Sequence, residues 1–270
     1  MEPPHLCQPD SAKSCGACCG LYNYRGSSRT SLEGRLKRRT ERFRSLGRYT
    51  PETLEAFGNR VRSEEPQAKR LETIYNCEFL GFVDSGCRRV GCLLHPCQHG
   101  GRDLRSCSFY GAELCDGHLC LSHQKLTREE KWAVILSLDD WYLYGICITD
   151  IDLCKSFFDH AARRLGGQPT LPVLSRTGVR RAAADFFALK VAWPYRTGEE
   201  GRFGKYCLAE DEYREASIPY ERFGCGKSRY DAILLSLASD FSSAGQLREA
   251  ERLIDLKIAA FVRGCESTGL

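Results

Sequence analysis

The 270-residue sequence has no apolar run near the roughly 18 residues that a membrane span needs, and its mean hydropathy is −0.38. Its longest apolar stretches, Trp132 to Leu138 and Ala232 to Ala238, have the length of core helices, so no membrane partner is expected. The opening residues, Met1 to Asp10, carry prolines and acidic residues but no apolar h-region, which argues against an export signal and for a cytoplasmic protein. Internal repeats and low-complexity tracts are lacking too, which excludes solenoids and fibrous chains. Strong charge imbalance is missing: the net +4 does not by itself select an acidic partner. With 42% hydrophobic residues, disorder is also excluded.

Cysteine, by contrast, is in excess. Sixteen of the 270 residues are Cys, and a chain of this length and hydrophobicity has no need of disulfides as staples. Eleven of the sixteen, with five of the six His, lie within residues 1–123. Metal therefore explains the count better than disulfides or a set of unligated core thiols. The five later residues, Cys147, Cys154, Cys207, Cys225 and Cys265, are scattered singly and read as small buried hydrophobes.

Two compositional regions follow: a Cys-rich region over residues 1–126, with an inserted basic helical segment at 25–70, and an α-helical region over 127–270. Residues 1–24 are Pro, Gly, Ser and Cys without helical or strand periodicity. Residues 25–48 hold nine Lys or Arg against two acids. Leu32, Leu36, Phe43 and Leu46 fall on one face there, which predicts a basic amphipathic helix. Clustered cations of this kind suit an acidic protein or nucleic-acid partner, or simply a solvated helix face. Thr50-Pro51 starts a second helix, and residues 71–126 lose periodicity again, with Phe79 to Val83 as a brief strand.

Beyond residue 126 the helical signals are local and clear. Thr127-x-x-Glu130 is a capping box, Thr149-x-x-Asp152 opens a helix that Gly166-Gly167 ends, a third helix covers Val179 to Val191, and a fourth follows Ser228. In the last, Leu247, Ala250, Ile254, Ile258 and Phe261 share a face, with Gly264 marking the end. The expected fold is mainly α: an irregular metal-organised module with few short strands, packed on a C-terminal helical layer.

Cys15-Gly16-Ala17-Cys18-Cys19-Gly20 carries the most chemistry. A Cys-x-x-Cys turn brings two thiolates to one metal, and flanking Gly lets backbone amides approach the sulfurs. Cys18 and Cys19, being adjacent, point apart and need not share an atom. Further ligands come from the second Cys-rich segment, which holds Cys77, Cys87, Cys92, Cys97, Cys107, Cys115 and Cys120, with His95, His99, His118 and His123 interleaved. A zinc ribbon is excluded because the chain has one Cys-x-x-Cys knuckle, and the ferredoxin run and the Cys-x3-Cys-x2-Cys run are absent.

These residues resemble the bacterial CxxCxxCC family, described as a zinc- or iron-chelating domain: Cys15-x-x-Cys18-Cys19-Gly20, then Cys77-x-Phe79-Leu80, then Gly91-Cys92 before His95-Pro96. The resemblance implies a cysteine-held zinc or iron-sulfur centre and covers residues 7–123. Cys15, Cys18, Cys19, Cys77 and Cys92 match its pattern; Cys115 and Cys120 join the ligand set on spacing alone. The nearest upstream Cys, Cys7, stands eight residues before Cys15, and His95-Pro96-Cys97 replaces an Arg-Pro-x-x-Cys element. Cys7, Cys87, Cys97 and Cys107 are therefore outside the predicted set. Some members of that family are linked to flagellin lysine methylation, which makes a protein lysine methyltransferase-like enzyme the alternative function.

Two other motifs have plain structural readings. Gly224-Cys225-Gly226-Lys227-Ser228 lacks the upstream Gly of a phosphate-binding loop and reads as a turn and helix cap. Asp139, Asp140, Asp150 and Asp152 read as helix-end carboxylates rather than an acid-base site.

Overall fold

A computed structural model describes residues 5–65, 68–72, 74–196 and 217–267 of the chain. Cys207 lies outside the described residues. Among them the protein is mainly helical, with a single two-stranded antiparallel sheet. The chain divides into two units: a cysteine-rich unit of residues 7–120 with 140–145, and a helical unit of 1–6, 121–139 and 146–270. The division falls at Cys120/Leu121, close to the compositional change at residue 126, and returns residues 140–145 to the first unit.

In the cysteine-rich unit, α1 (Arg29–Arg44) starts at Ser28, whose side chain accepts from Ser31 N. Its inner face buries Leu32, Leu36 and Phe43, and Arg35 and Arg39 on the same face are buried with them. Those two guanidiniums reach Glu65: Arg39 donates through Nε at 2.9 Å and Nη2 at 2.7 Å, and Arg35 pairs with the same carboxylate. Although burial works against its charge, the Arg39 and Arg35 contacts hold the Glu65 carboxyl below its ordinary range. Arg39 also donates to the Cys77 carbonyl at 2.8 Å and to the Tyr24 hydroxyl at 2.7 Å. The basic segment is thus in part an internal strut.

Helix α2 (Pro51–Glu64) begins with a capping box between Thr50 and Thr53, and packs Leu54, Phe57 and Val61 with Phe43 and Phe79. Strands β1 (Leu80–Phe82) and β2 (Val90–Cys92) pair Leu80 with Cys92, Gly81 with Gly91 and Phe82 with Val90. The turn between them is closed by Asp84 Oδ1, which accepts from Arg88 N and Arg89 N. A short α3 (Gly111–Gly117) follows. Gly145 is required by close approach: a Cβ there would fall 1.9 Å from the Tyr22 hydroxyl, which donates to Trp141 O.

The helical unit contains α4 (Leu121–Lys125), α5 (Arg128–Ser137), α7 (Ile151–Leu165), α8 (Leu171–Leu174), α9 (Thr177–Phe187), α10 (Leu189–Ala192), α11 (Asp231–Ser236) and α12 (Ala244–Glu266). Helix α6 (Trp141–Ile148) runs from one unit into the other. The Thr127–Glu130 capping box opens α5 as expected. Asp150, rather than Thr149, caps α7, accepting from Leu153 N at 3.0 Å, and Gly166 ends the helix at φ 72°. Helix α12 packs on α7 and α9, burying Leu247, Ala250, Ile254, Ile258 and Phe261. Gly264 lies inside α12 instead of past its end, next to Val179 of α9, where a Cβ would make ordinary van der Waals contact at 3.4 Å. Phe157 stacks on Phe186 at 4.1 Å and meets Phe261 at 4.9 Å in the aromatic centre of this unit.

Candidate metal centre

Residues 7–20 form no regular core element, and their path is fixed by polar links. Asp10 Oδ1 accepts from Ala12 N at 2.8 Å and Lys13 N at 3.0 Å, and Asp10 Oδ2 accepts from Lys13 Nζ at 2.6 Å. That turn brings the chain back so that Cys15 N donates to Cys7 O at 2.9 Å. A single 3-10 turn, Ala17–Cys19, follows and ends at Gly20 with φ 78°. Gly20 is the second glycine that close approach demands, because a Cβ would lie 2.5 Å from Tyr75 O and 2.7 Å from Asn76 Cα. That contact lets Cys77 N donate to Cys19 O at 2.9 Å.

The thiols gather around this turn. The Cys18 thiol hydrogen-bonds the Cys120 thiol, and that contact, with burial and the charges of Cys120, Cys15 and Cys7, pushes its pKa well up. Burial first, then Cys7, raises Cys15 strongly, and burial with Cys120 pushes Cys7 up to about 11. On the other side of the turn, burial raises Cys19, reinforced by Cys77, Cys92 and Cys115. Cys77 is raised by burial and by Cys92, and Cys92 is pushed up to about 11, chiefly by burial, with Cys115 adding to it. Cys77, Cys19, Cys92 and Cys107 share one apolar cluster. The Cys115 sulfur lies 3.9 Å from Ser108 Oγ. Burial and neighbouring thiols thus favour the protonated form of Cys7, Cys15, Cys18, Cys19, Cys77 and Cys92.

All seven sequence-predicted residues, Cys15, Cys18, Cys19, Cys77, Cys92, Cys115 and Cys120, thus lie in electrostatic reach of at least one other member of the set. Cys7, outside the predicted set, also comes back beside Cys15, because the Asp10 side chain folds a turn between them that cancels their separation. Cys97 is exposed, and Cys87 occupies the β1–β2 turn at φ 52°. The interleaved histidines go to other work. His95 accepts from Cys97 N at 3.2 Å, His99 Nε2 meets Leu93 O at 2.7 Å, His118 is exposed, and His123 belongs to the helical unit, edge-on to His5 at 5.8 Å.

Among the described residues, no group of three or more His, Cys, Asp or Glu side chains is poised to hold a metal ion as it stands. The donor chemistry nevertheless fits a soft metal, since thiolates select zinc and iron-sulfur clusters. Two buried donors beside the thiols, Ser14 Oγ and Asn76 Nδ2, lack a hydrogen-bond partner among the described residues. They precede Cys15 and Cys77 directly, and a thiolate sulfur accepts from such groups once a metal has displaced its proton.

No family model matches the chain, no curated protein matches it and no solved structure matches it.

The remaining candidate motifs have structural partners. Asp140 caps α6 by accepting from Tyr142 N and Leu143 N, both at 2.9 Å, and pairs with Arg29. Asp150 pairs with buried Lys190 and accepts from Ser236 Oγ at 2.9 Å. In the Gly224 to Ser228 loop, Ser228 Oγ donates to Glu251 and Lys227 pairs with Asp231. His160, buried, meets Arg229 O through Nε2 at 3.0 Å. No helix of the described residues is long and apolar enough to cross a membrane.

Proposed function

We propose that the protein is a metal- or iron-sulfur-binding protein of the CxxCxxCC type, its cysteine-rich unit holding a thiolate-ligated centre of structural or redox role. The observation that supports this most is the convergence of buried, mutually interacting thiols on the Cys15–Gly20 turn. Such a grouping costs stability as bare thiols and gains it when a soft cation takes their protons. The residues that would supply sulfur are Cys15, Cys18, Cys19, Cys77, Cys92, Cys115 and Cys120, joined by Cys7. The centre needs reduced thiols, which favours a reducing compartment such as the cytoplasm.

The basic segment 25–48 supports this reading as scaffold. Arg39 spans Glu65 and the Cys77 carbonyl, Arg42 pairs with Glu64, and Arg29 with Asp140. An acidic protein or nucleic-acid partner would be met by the exposed Arg38, Arg44 and Arg48.

Metal and acid-labile sulfide measured on anaerobically purified full-length chain test the proposal. Stoichiometric zinc without colour identifies a zinc site, and iron with sulfide and visible charge-transfer absorbance identifies a cluster. A folded chain with neither overturns the reading.

A further inference from the structure

The helical unit contains an open cleft of about 540 Å3 between the Gly224 to Ser228 loop and the N-terminal half of α12. Most of the charged groups that line it are matched. Asp255 Oδ1 accepts from Arg164 Nη2 at 2.8 Å, from Arg229 Nη2 at 2.6 Å and from the Tyr230 hydroxyl. Glu251 accepts from Ser228 Oγ, and Lys227 pairs with Asp231 at 2.9 Å. Arg248 and Arg252 differ: both are exposed, and neither makes a hydrogen bond or ion pair with a described residue. We propose that this cleft binds the phosphoryl group of a small phosphorylated ligand, with Arg248 and Arg252 as its cationic pair. The inference is independent of the thiolate-metal reading above.

Helical spacing carries the argument. Residues four apart on an α-helix stand on the same face, so the guanidiniums of Arg248 and Arg252 repel each other unless an anion lies between them. Arg248-x-x-Glu251 and Arg252-x-x-Asp255 have the spacing to close ion pairs within α12. The two carboxylates are held by Ser228, Arg164, Arg229 and Tyr230 instead. Four cations against two carboxylates leave the lining with a net charge of +2, which a phosphate dianion balances. A guanidinium also presents a planar fork of N–H donors that matches phosphate oxygens, and one phosphoryl group has oxygens for two such forks.

The loop side of the cleft is open to a ligand. Gly224 turns the chain at φ 63°, and a Cβ on Gly226 would meet nothing within 4 Å, so the backbone there is accessible. The Gly226 amide donates to no acceptor among the described residues and adds a donor to the lining. The loop is not built as a nucleotide cradle: a 3-10 turn, Tyr220–Phe223, leads into it in place of a strand, and α11 after it has six residues. That construction suits a single phosphoryl group and not a triphosphate. Buried Leu247 and half-buried Cys225 supply apolar surface for a small organic portion.

The test titrates full-length chain with inorganic phosphate by calorimetry, with glycerol 3-phosphate as a competing ester and glycerol as its neutral counterpart. Phosphate should bind saturably at a single site per chain, displaced by glycerol 3-phosphate and not by glycerol. Arg248→Gln and Arg252→Gln, at exposed positions whose change leaves the core intact, should each weaken binding by about tenfold or more. Gly226→Val keeps every charge and fills the loop side, so it should weaken binding too. Arg38→Gln, at an exposed cation of the cysteine-rich unit, should leave the affinity unchanged. Absence of saturable phosphate binding overturns the inference, as does binding that survives the Arg248→Gln/Arg252→Gln pair or falls equally with Arg38→Gln. A glycerol 3-phosphate that fails to compete overturns the assignment to a phosphorylated organic ligand.

Discussion

In the helical unit, Cys154 donates its thiol to the Cys147 carbonyl at 3.3 Å, and Cys147 donates its own to Phe187 O at 3.7 Å. In the cysteine-rich unit the Cys18 thiol finds Cys120, and Cys19 finds three other sulfurs. Burial raises the thiol pKa in both places, so burial does not distinguish a spectator from a ligand. The neighbours do. A thiol that donates to a carbonyl inside an aromatic core is a small hydrophobe with its one hydrogen bond made. The thiols of the cysteine-rich unit instead act on one another, even where a backbone amide also reaches them, as Ala17 N reaches the Cys15 sulfur at 3.5 Å.

The largest test of that contrast is metal removal. If the cysteine-rich unit depends on bound metal, chelation of the full-length chain should strip hydrogen-exchange protection from 7–120 while α7, α9 and α12 keep theirs. Structural zinc contributes about 10–16 kcal/mol in small thiolate-held peptides, so the expected loss is gross rather than marginal. Equal loss in α12, or unchanged protection in 7–120, would break the comparison.

Each unit also contains a buried ion pair, which gives a second comparison of smaller size. Glu65→Gln leaves Arg35 and Arg39 buried without their carboxylate, and Asp150→Asn leaves Lys190 in the same position. Breaking one partner of such a pair costs about 3–5 kcal/mol, measurable in urea unfolding. Glu65→Gln should in addition lower metal retention, because Arg39 also holds the Cys77 carbonyl. Asp150→Asn should leave retention unchanged, and a matching loss there would show that the two units are not separable in this way. Smaller again is Cys154→Ala. It removes one buried sulfur at a cost of about 1 kcal/mol and should leave bound metal untouched, in contrast to Cys92→Ala.

How much of this was legible in the sequence follows from how local each feature is. Thr50, Thr127 and the buried face of α12 could be read directly, because a cap or a helical stripe is decided within a few neighbouring residues. The end of α12 could not, since the helix runs past Gly264 to Glu266 while packed on another helix. Arg35 and Arg39 looked like part of a solvated basic face, and only Glu65, brought in from the end of α2, turns them inward. The seven candidate cysteines could be named from spacing and motif, but the 3-10 turn that carries Cys18 and Cys19 and the register that sets Cys92 opposite Leu80 could not. The return of Cys7 to the side of Cys15 was hidden by linear distance, because one aspartate side chain closes the turn between them.

The smallest expected effects are pH-dependent, and they run in opposite directions in the two units. Burial, with the charges of His5 and Lys131, pushes His123 down to about 4 from an ordinary value of 6.5, and its Nε2 has no hydrogen-bond partner among the described residues. Below the ordinary value the unfolded chain takes a proton that the folded chain refuses. Stability of the helical unit should therefore fall as pH drops from 6.5 toward 4, and His123→Gln should flatten that slope in urea melts. The metal-free cysteine-rich unit should do the reverse: Cys7 and Cys92 titrate at about 11 when folded and near 9 when unfolded, so alkali favours unfolding across that window. Bound metal inverts this behaviour, because thiolates that have already lost their protons make acid, not alkali, the condition that releases the ion. A cysteine-rich unit that weakens with alkali when stripped and with acid when loaded separates thiols that hold metal from thiols that only pack.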